Sequence, residues 1–359
     1  MSNKRYRQIG FQLIFLVFIL MFQTGNAYSE DLRSLANLKG NWKFSIGDDP
    51  NWAIPNYDDS DWENVFVPSS WEANGYEGYN GFAWYRKSFQ VRFPFNQEYL
   101  YLNMGYIDDV DEVYINGELV GASGDFPPLM TTAYQVPRMY PIPVDLINRS
   151  GKNTIAVRVY DEYHEGGIMN GEIGIFVDTD QEKMEVDLTG YWDFESACSL
   201  DKGNLKRITY REGKIFVPGF WEARGYNDCD GQAKYTKEFE YPSQLLNSDK
   251  ALVLGVIDDR DEVYLNGNRL EWIKSKSHRW RRFNQSNHLS FRVYPIPSKL
   301  FFRGGTNVLE VLVTDHGGPG GIYRGPIGIT SREIAETMLN KENKEKRSTW
   351  DIFFDNWLD

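Results

Sequence analysis

The sequence predicts an all-β protein built as two tandem antiparallel β-sandwiches of jelly-roll type. Three observations carry that expectation. The first is a repeat with an offset of 150 positions: Leu38, Gly40, Trp42 and Phe44 return as Leu188, Gly190, Trp192 and Phe194. Phe66-Val67-Pro68, Trp71-Glu72-Ala73 and Gly75-Tyr76 return as Phe216-Val217-Pro218, Trp221-Glu222-Ala223 and Gly225-Tyr226. Ile107-Asp108-Asp109, Asp111-Glu112-Val113-Tyr114 and Asn116-Gly117 return as Ile257-Asp258-Asp259, Asp261-Glu262-Val263-Tyr264 and Asn266-Gly267. The offset then becomes 154, with Tyr140-Pro141-Ile142-Pro143 matching Tyr294-Pro295-Ile296-Pro297, and Asp161 with Gly166-Gly167-Ile168 matching Asp315 with Gly320-Gly321-Ile322. A period this long is the size of a domain, so each copy must carry its own core. The second observation is strand alternation, and the third is that no stretch between residues 38 and 331 holds a capped helical period.

Taken in order, residues 1–27 read as a secretory signal peptide. Lys4, Arg5 and Arg7 precede an apolar run from Phe11 to Phe22, and Thr24-Gly25-Asn26-Ala27 supplies a small-residue cleavage site. An uncleaved membrane anchor is the alternative, but the run is short for a bilayer span, so cleavage, no membrane segment afterwards and a secreted or periplasmic product are expected. Residues 28–183 form the first sandwich. Leu100, Leu102 and Met104 alternate with other residues, Val113 and Ile115 run into the hairpin signal Asn116-Gly117, and Ile155, Val157 and Val159 alternate again. Residues 184–331 repeat the scheme, joined to the first copy across the polar stretch 178–187, a natural proteolytic junction. An aromatic content of 15% suits two facing sheets, because large rings fill the space between them. Residues 332–359 are a partly helical tail: a helix over 333–339, a charged stretch over 341–347, and then Trp350, Phe353, Phe354 and Trp357, which pack back onto a sandwich or dock a partner.

The formal charge of -12 becomes -15 once Lys4, Arg5 and Arg7 leave with the signal. An acidic surface argues against nucleic acid and anionic membranes as partners. Cys198 and Cys229 are the only cysteines, both in the second copy, and an exported chain can join them as a disulfide or leave two thiols. Trp42, Trp71, Trp192 and Trp221 recur beside strand signals and are expected in the cores. The Asp-rich turns at Asp108, Asp109, Asp111 and Asp258, Asp259, Asp261 lack the spacing of a calcium loop. Turn capping accounts for them more simply, and no metal or cofactor is expected.

Several motifs together resemble the sugar-binding domain of glycoside hydrolase family 2: Leu38-Lys39-Gly40-Asn41-Trp42, Asp61-Trp62-Glu63, Val67-Pro68-Ser69-Ser70-Trp71-Glu72, Trp84-Tyr85-Arg86-Lys87 and Val113-Tyr114-Ile115-Asn116-Gly117, with Gly321-Ile322-Tyr323-Arg324-Gly325-Pro326 in the second copy. The resemblance implies a galactose-binding-like jelly roll and a role in sugar recognition. In that family catalysis belongs to a (β/α)8 barrel of about 250 residues, for which 331–359 leaves no room. The Asn-Glu pair that marks the family's acid/base glutamate does not occur in the chain. The expectation is a non-catalytic glycan binder. The alternatives are an accessory part of a family 2 hydrolase whose barrel is on another chain, and an interaction module that has lost its sugar sites.

Pyranose rings stack on aromatic faces while carboxylates and amides bind their hydroxyls, so candidate site residues are sought in loops where the copies differ. Tyr79, Phe82 and Trp84 offer a stacking surface where the second copy has Cys229, Gln232 and Lys234. Asp161, Tyr163, His164 and Asn170 follow the Val-x-Val strand as polar partners, and Asp315, His316, Tyr323 and Arg324 complete the set in the second copy. The resemblance implies that Asp161 and Asp315 end a strand whose loop reaches the active site of family 2 β-galactosidases; an aspartate capping its own turn is the alternative. The insertion behind the step from 150 to 154 lies within 272–283, where His278, Arg279, Trp280, Arg281 and Arg282 form either a grip for an anionic sugar or a solvated hairpin.

Overall fold

A computed structural model describes residues 32–91, 97–128, 130–134, 136–202, 205–224, 226, 230–242, 249–273, 290–317 and 320–355. The signal segment, Cys229, residues 278–282 and Trp357 lie outside them, as do the side chains of Trp350, Phe353 and Phe354. Each copy is a sandwich of a four-stranded and a six-stranded antiparallel sheet. In the first, the small sheet has the order β1 (Leu32–Asn37), β10 (Gly167–Asp178), β5 (Tyr99–Asp108), β8 (Pro137–Pro143). The large sheet runs β3 (Glu63–Val67), β2 (Gly40–Ile46), β4 (Gly81–Phe89), β9 (Asn153–Asp161), β6 (Val110–Ile115), β7 (Glu118–Ser123).

The second sandwich repeats this order strand for strand. Its small sheet is β11 (Val186–Asp187), β20 (Ile322–Ser331), β15 (Lys250–Ile257), β18 (Phe291–Ile296). Its large sheet is β13 (Leu205–Val217), β12 (Gly190–Lys202), β14 (Asp230–Glu240), β19 (Thr306–Asp315), β16 (Arg260–Leu265), β17 (Asn268–Leu270). The expected all-β architecture of two tandem sandwiches is therefore the observed one.

Local sequence explains the elements. Asn116 and Gly117 take φ values of 52° and 91°, as a two-residue hairpin requires, and Asn266 and Gly267 take 50° and 74°. Asn116 also ties the hairpin to the next strand: its amide donates to Leu146 O at 2.8 Å and to Asn153 Oδ1 at 2.9 Å, and Asn266 does the same to Leu300 O and Asn307 Oδ1. The four repeated tryptophans are buried in the cores as expected. Trp42 and Trp192 each donate from Nε1 to the carbonyl four residues back, Leu38 O and Leu188 O, at 2.8 Å.

The copies differ on the outer face of the large sheet. In the first, residues 47–62 fold across it, and Trp52, Ala53 and Trp62 cover Trp84 and Ala156. Arg86, 1% exposed, pins this cover by donating to Asp59 Oδ2 at 2.8 Å and to Pro55 O at 3.3 Å. In the second, the corresponding stretch extends β12 and β13 as a 13-residue-per-strand hairpin. Lys234, at the position of Trp84, pairs there with Glu195 at 2.6 Å on an open surface.

The sandwiches share a packed junction. Tyr99, Tyr101 and Phe216 form an apolar cluster across it, and Tyr101 OH accepts a hydrogen bond from Gly325 N at 2.8 Å. The polar stretch 178–187 is exposed only in part: Glu182, Lys183, Glu185 and Asp187 face solvent, whereas Asp178, Asp180 and Gln181 are buried. Gln181 exchanges two hydrogen bonds with the backbone of Ile327, at 2.9 and 2.8 Å, and Glu185 N donates to Ile329 O at 2.8 Å. Because nicking concentrates where backbone is exposed and not held by hydrogen bonds, trypsin should spare Lys183 in the native protein, a result read by mass spectrometry of the first fragments; early cleavage there would mean the junction opens.

Helix α1 (Arg332–Asp355) is longer than the sequence predicts. Its first turns bury Ala335, Met338 and Leu339 against Ala251, Val253, Phe291 and Val293 on the outer face of the second small sheet. Cys198 is disulfide-bonded. Among the described residues no helix is long and apolar enough to cross a membrane.

Candidate functional site

One end of each sandwich gathers carboxylates from separate loops. In the first, β5 ends at Asp108, β9 ends at Asp161, and the register sets Gly167 of β10 opposite Asp108 and Gly81 of β4 opposite Asp161. The loop 68–80 closes this end: Ser69 N donates to Ile168 O at 2.8 Å and Trp71 N to Gly166 O at 2.9 Å. Gly167 must be glycine, since its φ is 118° and a Cβ there would lie 2.7 Å from Tyr85 OH and 2.9 Å from the Trp71 ring.

The three aspartates of the turn have separate tasks. Asp111 is fully buried and pairs with the buried Arg138 at 2.7 Å, while Tyr140 OH donates to its other oxygen at 2.7 Å. Arg138 also donates to Asp109 O at 3.0 Å and to the carbonyls of Ala133 and Val136, so one guanidinium holds the turn by its backbone. Asp261 and Arg292, 2.6 Å apart, repeat the arrangement. Asp109 accepts from Glu162 N at 3.2 Å and from Thr132 Oγ1, which is the capping role expected of it. Its counterpart Asp259 accepts from His316 N at 3.1 Å and lies 2.9 Å from His316 Nδ1.

Asp108 remains beside Asp109 and Asp161, with one carboxylate oxygen of each within 4.8 Å of the others; Asp258, Asp259 and Asp315 repeat this cluster. Burial, then the neighbouring negative charges, pushes Asp161 up to about 7 and Asp258 up to about 8. Glu222, half-buried beside Trp221 and accepting from Gly320 N at 3.1 and 3.2 Å, is raised to about 9, chiefly by desolvation. A carboxyl raised in the folded state is bound to its proton more tightly there than in the unfolded chain, so stability is present at low pH and lost as pH rises through the raised value. Asp258→Asn should therefore raise Tm at pH 9 and leave it nearly unchanged at pH 5 in thermal melts. A variant no more stable than the parent at pH 9 would show that Asp258 carries no such strain.

The structure sorts the sequence-predicted residues. Trp84 offers no stacking face: it is 0% exposed, stacked on Tyr114 with centroids 5.8 Å apart, and donates from Nε1 to Asp48 at 3.0 Å. The cover laid over β4 by residues 47–62 is the reason. Tyr79 is half-buried against Trp71, and its hydroxyl donates to Phe82 O at 2.7 Å. Phe82 is half-exposed, stacked on Phe126 (5.8 Å, 9°) and against Tyr160 (4.7 Å), with the Arg158 guanidinium over both phenylalanine rings. Asp161 is buried, whereas Tyr163, His164 and Asn170 are exposed beyond it.

In the second sandwich Asp315 is buried and accepts from Gly317 N at 3.0 Å, and His316 pairs with Asp259. Tyr323 stacks on Phe220 at 4.7 Å, and Arg324 pairs with Glu342 of α1 at 2.8 Å. These two serve packing and the helix contact. Residues missed by sequence reasoning are Arg138, Arg292, Phe126 and Tyr160. The arginines were visible as another pair at the 154 offset; the aromatic pair had no signal, because Phe126 stands outside any strand.

Residues 47–165 match the family profile described as the β-galactosidase second all-beta domain. A putative β-glucuronidase of Formosa agariphila is 30% identical over 144 residues, covering 36% of this chain and 13% of that protein. A β-galactosidase of Priestia megaterium is 24% identical over 155 residues, covering 34% and 14%. Among solved structures, a Bacteroides uniformis β-glucuronidase aligns with 79% of this chain and 27% of its own at 16% identity and a TM-score of 0.34. A glycosyl hydrolase family 2 member from Bacteroides cellulosilyticus aligns with 79% and 32% at 14% identity and a TM-score of 0.35. The matched stretches span 13–20% of the length of the curated relatives. By sequence, the first sandwich is thus related to the non-catalytic β-domains of family 2 glycoside hydrolases, and the chain is similar to a part of those enzymes.

Proposed function

We propose that this protein binds glycan without cleaving it, through the half-exposed aromatic step of Phe82, Phe126 and Tyr160 beside the carboxylate-lined end of the first sandwich. The observation that carries this reading is the register of β4 and β9, which sets Phe82 opposite Tyr160 and places Asp161 one residue further along, at the foot of the exposed loop of Tyr163 and His164. Aromatic faces and hydroxyl-binding polar groups at one strand end are what a pyranose needs. Retaining hydrolysis requires two carboxyl groups about 5 Å apart flanking an approaching bond. The close carboxylates here are otherwise engaged, Asp161 being 0% exposed and Asp109 spent on capping.

Isothermal titration with β-glucuronide and β-galactoside oligosaccharides tests the reading. Phe82→Ala should weaken binding by about 0.5–1.5 kcal/mol, roughly two- to tenfold, with Lys234→Ala as the control on the open face of the second sandwich. Absence of binding, or a Phe82→Ala variant that binds as the parent does, would overturn it. Export through the 1–27 signal and service to a separately encoded glycosidase belong to the same proposal, supported by the likeness to a β-glucuronidase and a β-galactosidase.

A further inference from the structure

We infer that the aromatic step of the first sandwich selects uncharged sugars and turns away uronates and sulfated sugars. This rests on the glycan-binding reading above and adds the ligand's charge to it. The observation that carries it is the state of Arg158, the guanidinium that lies against the step. The pairing of β9 with β4 and β6 sets Arg158 opposite Trp84 and Glu112, two residues before Tyr160 and on the same face. Its guanidinium stands over the Phe82 and Phe126 rings, 4.8 and 4.2 Å from their centroids, where an acidic sugar stacked on those rings would have to find its counter-charge.

That charge is already met twice. Nε and Nη2 of Arg158 donate to the two oxygens of Asp48 at 2.8 and 2.6 Å, and Nη1 donates to Glu112 Oε2 at 3.0 Å. Three of the five N–H donors of an arginine are thereby spent, and one positive charge faces two negative ones. Both carboxylates have a second anchor that holds them in place: Trp84 Nε1 donates to Asp48 Oδ1 at 3.0 Å, and Tyr114 OH donates to Glu112 Oε2 at 2.9 Å. The loops around the step add to the excess, even with the aspartates of the turn left out. Residues 77–81, 124–128 and 162–165 carry Glu77, Asp125, Glu162 and Glu165, with His164 as their only base. A sugar hydroxyl can donate to such a rim, whereas an anion in the same place meets like charge at close range and loses its water without gaining a cation. The second sandwich has no counterpart of this arrangement, since Leu312 stands at the position of Arg158 and Gln232 at that of Phe82.

The test uses the full chain at pH 8, where an ordinary imidazole is neutral, and two matched pairs of oligosaccharides: a β-galactoside with its C6-oxidised galacturonide, and a β-glucuronide with its carboxyl-reduced glucoside. Each is titrated by calorimetry, and each acidic member is also tested for displacement of its neutral partner. In any pair that binds, the neutral sugar is expected to bind about tenfold or more tightly at low salt. The gap should narrow as salt rises from roughly 0.01 to 1 M, over which the Debye length falls from about 30 to about 3 Å. Glu112→Gln should narrow it as well, because the amide oxygen still accepts from Arg158 and Tyr114 while one of the two offsetting charges is gone. An acidic sugar that displaces its neutral partner at equal or lower concentration would overturn the inference and leave glycan binding standing. So would a gap that high salt or Glu112→Gln leaves unchanged, since shape and not charge would then discriminate. Binding by none of the four sugars, or binding untouched by Phe82→Ala, would instead remove the glycan-binding reading at this step and the charge selection with it.

Discussion

Trp84→Ala should lower the stability of the first sandwich by about 3–5 kcal/mol, the cost of emptying a large buried ring. The ring is 0% exposed and lies under Trp52 and Trp62, so the cavity has a wall on the cover as well as on the sheet. The loss should fall in the first of two unfolding transitions if the sandwiches melt separately, and in the single transition if the packed junction couples them; urea unfolding followed by tryptophan fluorescence and circular dichroism distinguishes these. The matched change Lys234→Ala, on the open face of the second sandwich, should cost about 0–1 kcal/mol, as for a surface ion pair. A Trp84→Ala variant as stable as the parent would mean that residues 47–62 do not close over the sheet.

Asp111→Ala should destabilise by about 3–5 kcal/mol, because it leaves the buried Arg138 guanidinium without its partner. Asp111 and Arg138 are both fully buried, and Tyr140 OH loses its acceptor at the same time. The double change Asp111→Leu with Arg138→Met should recover much of that loss, since a buried ion pair is often replaceable by apolar groups of similar volume. It should not restore the turn, whose backbone carbonyl at Asp109 is held by the same arginine. Denaturant midpoints for the single and double variants decide the matter. Equal stability of Asp111→Ala and the parent would remove the ion pair from the account of this fold.

Most of the architecture was legible in the sequence because it rests on local rules. Alternation at Leu100, Leu102 and Met104 and at Ile155, Val157 and Val159 marks the face of each strand that meets the core, and these residues are core; that Tyr99 and Tyr101 on the other face of β5 are buried too was set by the junction. Asn116-Gly117 and Asn266-Gly267 demand φ values that L-residues seldom adopt, so their hairpins could be placed by composition alone. The repeat itself announced two cores of one topology, and both sheets of each copy follow one strand order.

The site was legible in part. Phe82 and Asp161, singled out from two separate loops, lie at the paired ends of β4 and β9, a pairing their sequence positions did not announce, and Asp109 has the capping role its turn suggested. Trp84 could not be placed from its own neighbourhood: on β4 it faces outward, and only residues 47–62, 22 or more positions earlier, decide that outward is inside. Tyr323 and Arg324 likewise carry the composition of a sugar site, but α1 and Phe220 claim them. The roles within the Asp-rich turn depend on Arg138, 27 positions from Asp111, and on the end of β9. By itself, then, the sequence determined the strands, their turns and the duplication, since these follow from side-chain period and backbone preference over a few residues. Which faces are covered, which charges are paired and which carboxylates crowd together were decided by tertiary structure, because each depends on groups brought together from distant parts of the chain.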